Sequence, residues 1–199
     1  MKQTIISIGR EFGSGGRQVA GMLSEVYDLP LYDRNMLDEI AAGKDLDGAG
    51  LRAYDEKKPG GLWMSGTPAN NVAQLQFEFL KGKADIGESF IVLGRCAESL
   101  LRGNSGLISI FIHADMEHKV LRIMERNYMT RIEAEEYIRE QEKRRREYHN
   151  AYCSMKWGDV RSYDISVDSG VLGIEGTAAC LKEYIDLRRS LRESGMAED

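Results

Sequence analysis

Apolar runs and amphipathic stretches alternate along this chain. Gln3–Gly9 is a short Ile-rich run closed by glycine, the pattern of a buried strand. From Gly16 to Tyr27 the apolar residues Val19, Ala20, Leu23 and Val26 recur at helical spacing. LPLYD, ending at Asp33, reads as a second strand, and RNMLDEIA opens another helix. Val72, Leu75, Phe79 and Leu80 place a helix over Asn71–Lys83. SFIVLGR, ending at Gly94-Arg95, and GLISIFIHA are the third and fourth strands, apolar almost throughout, as strands covered on both faces are. Asp115–Asn127 is a helix carrying Val120, Leu121, Ile123 and Met124. Thr130 and Glu133 form the T-x-x-E of a capping box, opening a charged helix to about His149. YDISVDS is a fifth strand, and Ile174–Arg189 is the closing helix.

Strands alternating with helices predict an α/β fold: a five-stranded parallel sheet with right-handed crossovers and helices on both faces. Ligands of such sheets bind at the carboxyl ends of the strands. Those ends carry Gly9–Gly16, Asp33, Gly94-Arg95, His113 and Asp168. Gly43–Gly66 has another texture, rich in glycine and charge, and reads as a mobile loop that could hold one helical turn.

The chain has 199 residues, 42% of them hydrophobic, which suits one compact domain over residues 1–199. A net charge of -5 argues against a nucleic-acid binder. The basic cluster Lys143–Arg146 within an acidic protein fits a small anionic ligand better than a polymer. The 3 cysteines, Cys96, Cys153 and Cys180, match no metal or disulfide spacing, so reduced thiols and a cytoplasmic setting are expected. The first residues do not read as a signal peptide, and no window reaches membrane-spanning length; no membrane partner is expected.

The stretch SIGREFGSGGRQVA carries the clearest chemistry. Glycines at 9, 13, 15 and 16 let several N–H groups turn toward one anion, and the helix that follows adds its positive end. The nucleotide-loop pattern G-x-x-x-x-G-K-[ST] is met only in part. No lysine follows the glycines; Arg17 stands there instead, and Gln18 occupies the hydroxyl position. Arg17 offers a bidentate fork for phosphate oxygens, and Ser14 a hydroxyl for a metal. Arg10 and Glu11 flank the glycines and could pair across the loop mouth.

Taken together, GREFGSGGRQVA, LYDRNMLDEIA, FIVLGRCAESLL, IFIHADMEHKVLRIMER, RRREYHNAYCSMKWGD and YDISVDSGVLGIE resemble the cytidylate kinase-like proteins, over nearly the whole chain and in order. The resemblance implies a three-layer P-loop NTPase fold with a helical lid, here about residues 128–160, and an acceptor-side segment, about 43–71. It implies transfer of the ATP γ-phosphate to a nucleoside monophosphate, CMP or dCMP, with ATP and Mg²⁺ as cofactors. Gly13, Ser14, Gly15, Gly16, Arg17 and Gln18 match the phosphate loop. Asp33, with Arg34 beside it, matches the acidic residue near the acceptor. Arg95 matches the arginine of a G-R-D motif, with Cys96 in place of its Asp. Arg145 and Arg146 fall in the lid, and Asp168 falls beside the base pocket.

Phosphoryl transfer needs converging positive charge, a carboxylate for Mg²⁺ or the acceptor, and a lid that excludes water. Arg17, Asp33, Arg95 and Arg145 are the candidate catalytic residues, and Ser14 and Asp33 the candidate metal ligands. Asp33, Arg34, Arg95, Arg146, Lys156 and Asp168 are the candidate substrate contacts. In the charged helix, Glu135–Arg139, Glu140–Arg144 and Glu142–Arg146 are spaced as solvated ion pairs. Arg145 has no acidic residue four before it and continues the face of Ile138, His149 and Tyr152, so it should point inward. Lys156 and Trp157 fit a phosphate contact and a stacked base, or equally a tight turn packed by the indole. Asp168 fits a nucleotide contact or a helix cap. His113 and His149 are expected to be packed or capping residues, and no metal cluster is expected. Two alternatives stay open: a kinase for another small acceptor, and a nucleotide-binding regulatory protein without transfer. Self-association is also open.

Overall fold

The computed structural model describes residues 2–45, 47–53, 55 and 68–195. The elements are β1 (Ile5–Arg10), α1 (Gly16–Tyr27), β2 (Leu31–Tyr32), α2 (Met36–Lys44), α3 (Gly48–Ala53), α4 (Pro68–Asp85), β3 (Phe90–Leu93), α5 (Ala97–Leu100), β4 (Leu107–His113), α6 (Met116–Asn127), α7 (Arg131–Tyr152), β5 (Ile165–Asp168) and α8 (Ser169–Glu193). The five strands form one parallel sheet in the order β2-β3-β1-β4-β5.

Register explains why the strands are apolar on both faces. Ile5 pairs with Phe90 and Ile6 with Ile91, so alternate residues of β1 and β3 point to opposite sides. Ile6, Ile8, Ile91 and Leu93 pack with Val19 and Leu23 of α1 and with Leu181 and Ile185 of α8. Ile5, Phe90 and Val92 pack with Leu37 of α2, Leu80 of α4 and Ala97 of α5. Each fully buried Ile or Leu contributes on the order of 1.5–3 kcal/mol. β1 is central, so the glycine loop that follows it opens between the ends of β3 and β4.

The capping box at Thr130 is present: the Thr130 hydroxyl accepts from the Glu133 N–H, and the Glu133 carboxylate accepts from the Thr130 N–H at 2.8 Å. Differences from the sequence reading are local. α8 begins at Ser169, but Gly173 breaks it with φ 68°, so the regular helix resumes at Ile174. α4 starts before Asn71, at Pro68. The short helix α5 was not expected. In the segment 43–66, residues 43–44 end α2 and residues 48–53 form α3, the one helical turn that segment could hold. Residues 46, 54 and 56–66 lie outside the described residues.

Candidate active site

The cleft forms where the glycine loop meets the carboxyl ends of β2 and β3 and the lid helix α7. Its volume is about 810 Å³. Gly13, Gly15, Gly16, Arg17 and Gln18 line one wall; Asp33, Arg34 and Arg95 line a second; Arg122, Arg126 and Arg145 a third. The first amides of a helix have no intrahelical acceptor, and here those of Gly15, Gly16 and Arg17 belong to residues of the cleft wall. Gly15 holds the N-cap of α1 at φ 75°, and a Cβ there would stand 2.9 Å from the Ile174 side chain. The loop is tied down by side chains of α6 and α8. Arg122 donates to the Gly13 carbonyl at 3.4 Å and to the Ser169 carbonyl at 2.8 Å, while the Ser169 hydroxyl donates to the Ser14 carbonyl at 2.6 Å.

The arginines reach the cleft by different routes. Arg17 is exposed, with its Nε 3.6 Å from Asp33. Arg95 is buried, 3.6 Å from Asp33 and 2.9 Å from Asp55. Its backbone is unusual: Gly94, Arg95 and Cys96 are consecutive left-handed residues, at φ 78°, 64° and 57°. A Cβ at position 94 would run into the Arg10 guanidinium. Such a turn strains two non-glycine residues by about 1 kcal/mol or more each, and it swings Arg95 back over the end of β3. Arg145 is half-buried; it donates to the Arg10 carbonyl at 3.4 Å and lies 5.3 Å above the Phe12 ring. Arg126 covers the same ring at 5.3 Å, so the loop's Phe12 carries two guanidinium groups.

Other expected residues lie elsewhere. Ser14 is fully buried and its hydroxyl donates to the Glu11 carbonyl at 2.9 Å, so the loop itself uses the group expected to face a metal. Arg146 is exposed and sits 5.7 Å from the Trp157 ring, outside the cleft. Glu142 does not pair with it: Glu142 accepts from Lys119 at 2.8 Å, because Ile138 and Ala134 turn that face of α7 onto α6. Lys119 also bonds Glu11 at 2.9 Å. Burial works against the Lys119 charge, but the two carboxylates outweigh it and hold its pKa above the ordinary lysine value. Lys156 is exposed and lies off the cleft, and Trp157 packs edge-on against Phe111 at 5.8 Å, the packed-turn arrangement. Asp168 caps α8, accepting the Gly170 N–H at 2.8 Å.

Sequence reasoning missed Asp55, Gln76, Lys119, Arg122 and Arg126. Asp55 follows α3 with its side chain fully buried; it accepts from Arg34 at 2.8 Å, Arg95 at 2.9 Å and Gln76 at 3.0 Å. Arg122 and Arg126 are spaced one turn apart on α6, the one signal that could have marked a basic face. Sequence spacing also gave no sign of a further grouping of donor-type side chains. Among the described residues, Glu98, His149 and Cys153 bring one donor atom each within 4.8 Å of one another, because α5 and the end of α7 are packed together. Burial disfavours the His149 charge, yet hydrogen bonds to Cys153 and Glu98 carry its pKa to about 10. A hydrogen bond from Cys96, helped by His149 and opposed by burial, draws Cys153 down to about 6.

The sheet order, the glycine loop after the central strand and the helical lid define a P-loop kinase fold. The chain belongs to the cytidylate kinase-like family, whose model matches residues 5–171. An uncharacterized protein from Eubacterium ventriosum ATCC 27560 is 38% identical, superposes with a TM-score of 0.75, and is matched over 92% of this chain and 99% of its own. The shikimate kinase from Bacteroides thetaiotaomicron has a TM-score of 0.54 at 12% identity, over 92% of this chain and 98% of its own. A gluconokinase from Sinorhizobium meliloti 1021 has a TM-score of 0.50 at 14% identity, over 92% and 94%. These two share the fold. No curated protein matches the sequence. No helix of the described residues is long and apolar enough to cross a membrane.

Proposed function

We propose that this protein transfers the γ-phosphate of Mg-ATP to a small nucleotide, a nucleoside monophosphate of the CMP or dCMP class. The observation that carries the reading is the convergence of Arg17 and Arg95 on Asp33, in one cleft that the glycine loop and Arg145 also line. The loop amides hold the donor phosphates. Arg17 takes the place of the missing lysine, as a planar fork that grips two oxygens and not as a point charge. Arg145, on the lid, supplies charge to the transferred group, and Arg95 holds the acceptor phosphate. Of the two candidate metal ligands, Asp33 faces the cleft, and with phosphate oxygens and water it fits a Mg²⁺ shell. Bound there, Mg²⁺ would neutralise phosphate charge. Asp33 also sits where it can orient the acceptor oxygen.

The test is ADP release from Mg-ATP by the purified protein, with each nucleoside monophosphate and with no acceptor. Acceptor-dependent ADP above background supports the reading and names the base. No stimulation, with ATP binding intact, leaves the loop holding phosphate without passing it to a nucleotide. That second reading is favoured by one observation: Lys119, a lysine packed against the loop, is already held by two carboxylates.

A further inference from the structure

Behind Arg95, outside the arginine-lined cleft, α5 and the last turn of α7 enclose a second group of chemically active side chains. His149 and Cys153 are one helical turn apart, so both project from one face of the end of α7. Glu98 reaches them from α5. Glu98 Oε1 lies 2.7 Å from His149 Nε2 and 4.0 Å from Cys153 Sγ. Glu98 and His149 are buried, at 4% and 6% exposure. A hollow of about 30 Å³ is bounded in part by Cys96, Glu98 and His149.

We propose that Glu98, His149 and Cys153 form a zinc site. Imidazole, thiolate and carboxylate are the donor types of four-coordinate zinc. Bonds of about 2.0–2.3 Å at tetrahedral angles separate ligand atoms by about 3.3–3.8 Å. The distances of 2.7 Å and 4.0 Å bracket that window, and all three donor atoms lie within 4.8 Å of one another, so shifts of about 1 Å would bring them to it. The other ring nitrogen, His149 Nδ1, faces Asn150 Oδ1 at 3.4 Å, an acceptor of the kind that orients a metal-bound imidazole. The same Asn150 oxygen accepts from the Trp157 N–H at 2.9 Å, which fixes it in place. The donors come from two elements, so the ion would clip the end of the lid helix to the strained turn that presents Arg95. Arg145 is one helical turn before His149. This is a structural site, separate from any Mg²⁺ at the phosphates and independent of the proposed kinase reaction.

The test uses the full-length, tag-free protein. Its zinc content is measured as purified, and the metal-free form is then titrated with Co²⁺. One equivalent of Co²⁺ should give the intense visible bands of a tetrahedral site and a thiolate-to-cobalt charge-transfer band. Zn²⁺ should abolish both, and a hard cation such as Mg²⁺ should not. Cys153→Ser, with its fold checked by circular dichroism, should lose the charge-transfer band, while Cys180→Ser keeps it. If Cys153→Ser does not fold, Zn²⁺ protection of wild-type Cys153 from alkylation, read by peptide mass, replaces it. Absence of the cobalt bands in the wild type, their survival in Cys153→Ser, or alkylation of Cys153 unchanged by stoichiometric Zn²⁺ would each overturn the proposal.

Discussion

The Arg95 guanidinium lies 2.9 Å from the Asp55 carboxylate, and their side chains are only 1% and 0% exposed. A buried charge left without its partner costs about 3–5 kcal/mol. Asp33, 3.6 Å away, offers Arg95 partial compensation. Asp55→Asn should therefore destabilise the protein by about 2–4 kcal/mol in urea titration. Arg34→Ala should cost under about 1 kcal/mol, because Arg34 meets the same carboxylate from a largely exposed position. Equal losses in the two variants would show that Asp55 does not serve chiefly to hold Arg95.

Arg145 and Arg139 share a helix but not a role. Arg139 pairs with Glu135 at 3.4 Å on an exposed face. Arg145→Ala should lower kcat by on the order of 10²–10³, with ATP affinity changed only severalfold. Arg139→Ala should leave both within about twofold. Initial rates and ATP titration on the two variants separate a lid arginine that acts in the transition state from a solvated one.

Lys119 joins three parts of the molecule, bonding Glu11 of the loop at 2.9 Å and Glu142 of the lid helix at 2.8 Å from its own place on α6. Lys119→Met leaves two carboxylates facing a neutral thioether. A loss of about 3 kcal/mol is expected. Lys119→Met combined with Glu142→Gln should recover part of it, a coupling of about 1–3 kcal/mol in a double-mutant cycle. Strict additivity would mean that the lid helix is not held through this lysine.

Tyr32 gives a pH signature. Burial foremost, then its 2.6 Å bond to Glu88, pushes the phenol up from 10.0 to about 12. A group whose folded pKa is raised stabilises the fold below its unfolded pKa, and that contribution is lost as pH rises through the folded value. The excess stability of wild type over Tyr32→Phe, about 1 kcal/mol for the lost hydrogen bond, should persist to about pH 10 and shrink toward pH 12. Urea midpoints at pH 8, 10 and 11.5 measure it. A constant gap would place the phenol outside the linkage.

Local pattern reveals some of this molecule and hides the rest. Strands β1, β3 and β4 were legible because both faces are covered and their runs are apolar throughout. The α7 cap was legible because a capping box is complete within four residues. Arg145 facing inward could be read from its missing i−4 acid. Asp55 could not: it lies 40 residues from Arg95, and its neighbourhood is polar and without period. The Lys119 bonds span 108 and 23 residues, so nothing nearby marks a lysine that faces inward from a helix with a polar exterior. Glu98 and His149 are 51 apart and meet only because α5, a single turn, follows three left-handed residues. A turn built that way has no hydrophobic period to betray it.

The bonds that fasten the phosphate loop, from Arg122, Ser169 and the Ser14 hydroxyl, have a kinetic meaning. They fix the amides in position before any nucleotide arrives, so the disorder of those peptide groups is given up during folding and not at each encounter. On the proposed function, capture of a triphosphate would need no rearrangement of the loop and would depend little on which base the nucleotide carries. On the same proposal, discrimination between substrates then falls to the opposite wall of the cleft.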